Sequence, residues 1–142
     1  MLKNIPPILS PQLLKVLAEM GHGDELVLAD ANFPAESMGK RVVRADGHGA
    51  PELLEAILTL FPIDTFQEDV VCLMEKVPGH DIEVPIWDTF RRIVKERAPE
   101  APDFTMMERF AFYDRAKEAY AIVATGERAL YANVILKKGV VA

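Results

Sequence analysis

Cysteine is almost missing from this chain. Cys72 is the only one, so no intrachain disulfide can form and no Cys-rich zinc site can be built. It lies in the apolar run Val70-Val71-Cys72-Leu73-Met74 and reads as a small buried hydrophobe. Histidine is scarce too: a three-histidine metal centre would need His22, His48 and His80 all to converge, and no metal is expected. No lysine or arginine cluster stands out, and acidic residues outnumber basic ones by 22 to 16, which speaks against the basic footprint of a nucleic-acid binder. No stretch approaches the roughly 18 apolar residues of a membrane-spanning helix. Three prolines break up the segment MLKNIPPILSPQLLK, which therefore lacks the uninterrupted apolar core of a signal peptide. A cytoplasmic location is the expectation. The phosphate-cradling pattern GxxxxGK(S/T) is absent, and Gly21-His22-Gly23 does not open a helical pattern, so nucleotide cofactors have little support.

What is present is a chain of 142 residues, half of them apolar, enough for one domain with a buried core. There is no internal repeat, low-complexity tract or linker-like shift in composition, and residues 1–142 are read as a single domain. Ser10-Pro11 starts a helix, as cap and first residue, whose stripe Leu13, Leu14, Val16, Leu17 and Met20 ends at Gly21. Glu25–Ala29 reads as a strand, Asn32-Phe33-Pro34 as a loop and Arg41–Ala45 as a second strand. Pro51 opens a helix carrying Leu53, Leu54, Ile57, Leu58 and Phe61. Val70–Val77 is the most apolar strand candidate, Gly79–Pro85 a loop, and Trp87, Phe90, Ile93 and Val94 a helical stripe. Phe104–Met107, a helix at Tyr113–Ala119, and strands at Ala121–Ala124 and Val134–Leu136 complete the pattern. Strands alternate with helices, which predicts an α/β sheet with helices packed on its faces. Ligands of such sheets collect at the carboxyl ends of the strands, where Asp30, Asp46 and Arg109 are expected.

Several residues have chemistry to offer, each with an ordinary alternative. His22 lies between two glycines just past a helix end. Histidine both accepts and donates a proton near neutral pH, but one so placed also caps the helix's negative end. Asp30 can hold sugar hydroxyls or make an Asx turn. Arg109 can brace an oxygen-rich ligand or form a surface ion pair. Tyr131-Ala132-Asn133 brings a hydroxyl and an amide near one another, as a turn also would. Tyr113 and Tyr120 read as core aromatics, and His48 and His80 as solvent-facing residues of Gly-containing turns.

Together these segments resemble one family. SPQLLKVLAEMGHGDELVLADANFPA (Ser10 to Ala35), RADG (Arg44 to Gly47), ERFAFYDRAKEAYAIVATGE (Glu108 to Glu127) and YANVILKKGV (Tyr131 to Val140) match, in order, the blocks of the D-ribose pyranase / L-fucose mutarotase family. RADG, ERF and FYDRAK favour the fucose branch. The middle, about residues 64–103, is the least diagnostic. The resemblance implies a ribose-pyranase-like α/β fold and an isomerase that interconverts the anomers of L-fucose by acid/base ring opening and reclosure. It implies His22 as the catalytic histidine and Asp30, Arg109, Tyr131, Ala132 and Asn133 as substrate contacts. It also implies no cofactor, and assembly into a homo-oligomer, commonly a decameric ring, with sites near subunit boundaries. Two positions depart from the fucose pattern: Ala132 stands where glycine is frequent, and Asn32 where some members have histidine. D-ribose pyranase activity, or monosaccharide binding without turnover, is the alternative expectation.

Overall fold

The computed structural model describes residues Met1–Ala142. Six strands form one mixed sheet: β1 (Glu25–Ala29), β2 (Val42–Ala45), β3 (Val71–Met74), β4 (Thr105–Met107), β5 (Ala121–Thr125) and β6 (Val134–Lys137). Their order across the sheet is β2-β5-β1-β6-β3-β4. Only β6 runs against the others; it lies antiparallel between β1 and β3, and the remaining pairs are parallel. Apart from Glu25, Thr125 and Lys137 at their ends, the central strands are apolar, as in sheets covered on both faces.

The two faces follow from the two-residue period of a strand. Leu26 and Leu28, Val71 and Leu73, Ala121 and Val123, and Val134 and Leu136 point into the larger core. There they meet α1 (Pro11–Glu19), α3 (Ala50–Leu58) and α4 (Pro85–Arg97), through Leu13, Leu53, Ile57 and Phe90 among others. Val27, Cys72, Ile122 and Ile135 point the other way, onto α2 (Ala35–Met38) and α5 (Arg109–Glu118), through Ala35, Phe112 and Ala116. Cys72 is thus a packing residue, and burial pushes its thiol above the ordinary value. Ser10 caps α1, its Oγ accepting from Leu13 N–H at 3.1 Å.

Three elements differ from expectation. The apolar run Val70–Val77 is strand only to Met74, because Val77 turns out of the sheet and donates its amide to Tyr131. The loop after Asp30 contains the single turn of α2. The helix expected from Tyr113 starts at Arg109, where the Glu108 carboxylate caps it by accepting Ala111 N–H at 3.0 Å. No helix is long and apolar enough to cross a membrane.

Arg115 ties α5 to two strands. Its guanidinium donates to both oxygens of Glu25, at the start of β1, and to the carboxylate and carbonyl of Asp69, just before β3. Both the Arg115 and Glu25 side chains are only 15 % exposed, so removing one leaves a shielded, unpaired charge. Arg115→Met is expected to cost about 3 kcal/mol and to lower the melting temperature by roughly 10 °C. Pairing it with Glu25→Met should restore most of the loss. Circular dichroism melts of the single and double variants check both statements.

Candidate active site

With β1 to β4 parallel and β6 reversed, the carboxyl ends of β1, β3 and β4 and the amino end of β6 meet on one edge of the sheet. Asp30 ends β1, Glu75–His80 follow β3, Arg109 follows β4, and Tyr131–Asn133 lead into β6. They surround a hollow of about 210 Å³ that Phe33 and Tyr113 help to line, room for about seven waters at about 30 Å³ each and so for one small polar molecule.

Asp30 and Asn133 sit at its floor, 8 % and 4 % exposed. They hold each other reciprocally. Asn133 Oδ1 accepts Asp30 N–H at 2.8 Å, and Asn133 Nδ2 donates to Asp30 Oδ2 at 3.1 Å. Asp30 Oδ1 also accepts Asn32 N–H at 3.0 Å, so the Asx turn is real and coexists with the aspartate's place in the hollow. Burial pushes the Asp30 carboxyl above the usual carboxylate value, and the amide of Asn32 and side chain of Asn133 offset part of that shift.

Tyr131 adopts φ +57°, a left-handed conformation uncommon for a residue with a side chain. It is held there from several sides. Trp87 Nε1 donates to its carbonyl at 2.9 Å, Val77 N–H donates to its Oη at 3.2 Å, and His80 Nδ1 lies 2.6 Å from the same oxygen. Ala132 carries its methyl into the larger core, fully buried, so a side chain in place of glycine adds nothing to the hollow. Its backbone amide contributes to the Asp30 carboxylate. Arg109 occupies the first turn of α5, where the helix dipole disfavours a cation. Its guanidinium lies 4.5 Å from the centroid of the Phe110 ring, in place of the surface ion pair considered for it. A positive charge against the helix dipole, beside the buried Asp30–Asn133 pair in a hollow of mixed polar and apolar lining, suits an oxygen-rich ligand.

His22 is elsewhere. It precedes β1 while Asp30 ends it, and five strand residues at about 3.3 Å each separate the two by roughly 16 Å. Its Nε2 lies 3.1 Å from Asp64 Oδ1, and its ring centroid is 5.4 Å from that of Phe66. Gly23 gives the turn its positive φ of +88°. The Asp64 side chain is 1 % exposed. Burial alone would raise its carboxyl, but the amides of Phe66 and Thr65 and the His22 imidazole outweigh that and hold it below the ordinary value. Gly139 lets the Ile63–Asp64 segment approach: a Cβ there would sit 2.6 Å from the Ile63 carbonyl oxygen. His22 is therefore oriented by a carboxylate, the arrangement that fixes the ring in acid/base catalysts.

Sequence reasoning thus gathered four side chains that converge, Asp30, Arg109, Tyr131 and Asn133, and one that stands apart, His22. It missed Asp64, which falls in the least diagnostic stretch, the contact of His80 with Tyr131 at the hollow, which His80 makes while solvent-exposed as expected, and the place of Tyr113 in the lining. Tyr113 packs, half-buried, against the smaller core and at the same time lines the hollow beside Phe33. Tyr120 donates to Glu19 and lies under Arg41, away from the hollow. Asp46 pairs with Arg44 on the edge strand, and His48 faces Glu52. Nowhere do three or more metal-ligating side chains cluster.

The sequence matches the RbsD / FucU transport protein family over residues 3–141. It is 54 % identical to the fucose mutarotase of Danio rerio, over 99 % of this chain and 94 % of that protein. Its fold superposes with a TM-score of 0.95 on FucU from Bifidobacterium longum, at 57 % identity over 99 % of this chain and all of the other. It superposes at 0.93 on the fucose mutarotase of Streptococcus pneumoniae crystallised with L-fucose, at 50 % identity and the same coverage.

Proposed function

The chain belongs to the RbsD / FucU transport protein family, and from that membership we propose that it is an L-fucose mutarotase, an isomerase exchanging the α and β anomers of the free sugar. One observation carries the choice of sugar: a relative half identical along the whole chain was crystallised with L-fucose. The hollow supports it, offering a buried carboxylate–amide pair for hydroxyls, with an arginine and a phenol at its rim.

Mutarotation breaks the bond between C1 and the ring oxygen, rotates the exposed aldehyde and recloses on its other face. A base takes the proton of the anomeric hydroxyl while an acid protonates the ring oxygen, and reclosure reverses both transfers. Proton transfer suffices, so the reaction calls for no cofactor. In this reading His22 is the principal proton carrier, Asp30 and Asn133 orient hydroxyls, and Arg109, Tyr131 and the Ala132 backbone contact the substrate.

His22 cannot reach the hollow of its own subunit, so the reading requires a second copy. The two ends of β1 suit a head-to-tail assembly. Beside His22 runs an apolar groove of about 630 Å³ lined by Leu14, Leu17, Met20, Leu60, Val140 and Val141, with Phe66 73 % exposed next to it. Beside the hollow, Phe110 is 61 % exposed and Leu130 also stands out. Two different apolar surfaces at opposite ends favour a contact that repeats in one direction and closes into a ring. A homo-oligomer, a decameric ring by family analogy, is accordingly part of the proposal, as is a cytoplasmic location.

Saturation-transfer NMR between the anomer signals of L-fucose tests the activity. Catalysed exchange is expected, faster than with D-ribose or galactose, and no acceleration for any of the three would refute the assignment. Asp64→Ala, which frees the His22 ring, is expected to slow exchange by about 10-fold to 100-fold with little change in the binding of L-fucose measured by titration calorimetry.

A further inference from the structure

We infer that Phe66 is a specificity-determining residue, delivered to the sugar by the adjoining subunit together with His22, and that its ring receives the C6 methyl. The inference rests on reading His22 as serving a neighbour's hollow. One carboxylate oxygen ties the two side chains together. Asp64 Oδ1 accepts the Phe66 amide at 3.1 Å and lies 3.1 Å from His22 Nε2. The two rings are 5.4 Å apart, centroid to centroid. Phe66 is nevertheless 73 % exposed, and it takes no part in lining the apolar groove beside His22. A subunit that brings His22 to a hollow therefore brings a bare phenyl ring with it.

The connectivity of the sugar says which atom meets that ring. C6 hangs on C5, and C5 shares the ring oxygen O5 with C1, so the methyl sits at the end of the sugar where the bond breaks. At about 1.5 Å per bond, C6 is about 2.5 Å from O5 and at most about 5 Å from O1. A ring flanking the imidazole at 5.4 Å spans that interval. The hydroxyls of C2, C3 and C4 are left to Asp30, Asn133 and Arg109 of the hollow. Leu130, which lines the same hollow and is 51 % exposed, gives the methyl a second apolar neighbour.

L-galactose is the same sugar with one more oxygen, on C6. In this slot its extra hydroxyl meets a phenyl ring and a leucine and finds no partner. Apolar sites reject an added hydroxyl by up to about 100-fold. Wild type is therefore expected to favour L-fucose over L-galactose by about 10-fold to 100-fold in kcat/KM.

Exchange NMR on both sugars with wild type, Phe66→Ala and Phe66→Leu provides the test. Phe66→Ala keeps its backbone amide on Asp64, so the His22 ring keeps its orientation. Its preference for L-fucose should fall about tenfold, chiefly through a higher KM for that sugar. Phe66→Leu retains an apolar side chain and should retain most of the preference. Mixed oligomers read where the ring comes from. Co-expressed Arg109→Ala and His22→Ala subunits form working sites only where the first lends its imidazole to the second's hollow. Phe66→Ala added to the Arg109→Ala subunit should lower the preference at those sites; added to the His22→Ala subunit, it should not. An unchanged preference in Phe66→Ala, a loss equal for both sugars (complete loss included), or a response on the His22→Ala subunit overturns the inference. Wild-type exchange equally fast for both sugars overturns it as well, and leaves the mutarotase reading intact. Absence of L-fucose exchange in wild type would instead refute the activity itself, and inactive mixed oligomers would refute the shared site on which Phe66 depends.

Discussion

His22→Ala is expected to slow anomer exchange by about 10²-fold to 10⁴-fold, the usual worth of a positioned general acid/base, leaving only the uncatalysed rate in water. The fold should not change, because His22 is exposed and contributes no core packing. Its one strong partner, Asp64, keeps the Phe66 amide as donor. The sharper version of the experiment mixes two defects. Arg109→Ala damages the hollow and spares His22; His22→Ala does the reverse. If each imidazole served its own hollow, no mixture of the two subunits could work. If each serves its neighbour's, co-expressed subunits assembling at random restore about a quarter of the sites, since half the imidazoles and half the hollows are intact. Recovery to about that level in saturation-transfer NMR is the expected result. A mixed preparation as slow as either parent, or a 15.8 kDa monomer by light scattering, would sink the arrangement.

The contrast between His22 and the other site residues marks where sequence reasoning stops. Asp30 and Asn133 lie 103 residues apart; the place of Asp30 at the carboxyl end of a strand was legible from local pattern, whereas Asn133, at the amino end of the last strand, joins the same edge only because β6 runs antiparallel. The helices and strands were legible from local pattern too. Apolar period and capping residues such as Ser10-Pro11 are local signals, and the continuous apolar runs of β1, β3 and β5 report burial on both faces. What was not legible depends on pairing between distant segments. Nothing near Asp64 in sequence shows that Gly139 admits its backbone beside the turn holding His22. Val77 looks like strand until Tyr131 is seen taking its amide. His80 sits after Gly79, which has φ +84°, and its Gly-containing turn was legible in the sequence. Its meaning comes only from the phenol 51 residues further on. The resemblance supplied His22 as catalytic, and the geometry sets it apart from the hollow, so the role proposed for it calls for a neighbour.

Asn133→Asp carries the largest expected pH dependence, and its sign follows from the floor of the hollow. Asp30 already titrates above the ordinary carboxylate value because of burial. Its Oδ2 rests 3.1 Å from the Asn133 amide nitrogen, the atom this substitution turns into a second carboxylate oxygen. Two buried carboxylates at that distance cannot both ionise cheaply, so the pair retains a proton well above the usual range. For acids raised in the folded state the stability cost is absent below the unfolded value, near pH 4, and grows as pH rises through the folded one. Asn133→Asp should therefore match wild type in thermal unfolding near pH 4 and fall behind by roughly 3 kcal/mol at pH 7, the scale of an uncompensated buried charge. L-fucose binding should weaken in the same direction, since the hydroxyl-orienting amide is gone and the remaining oxygens compete for one proton. Unfolding curves that run parallel for both proteins from pH 4 to pH 8 would mean that Asp30 and Asn133 do not share the buried floor described here.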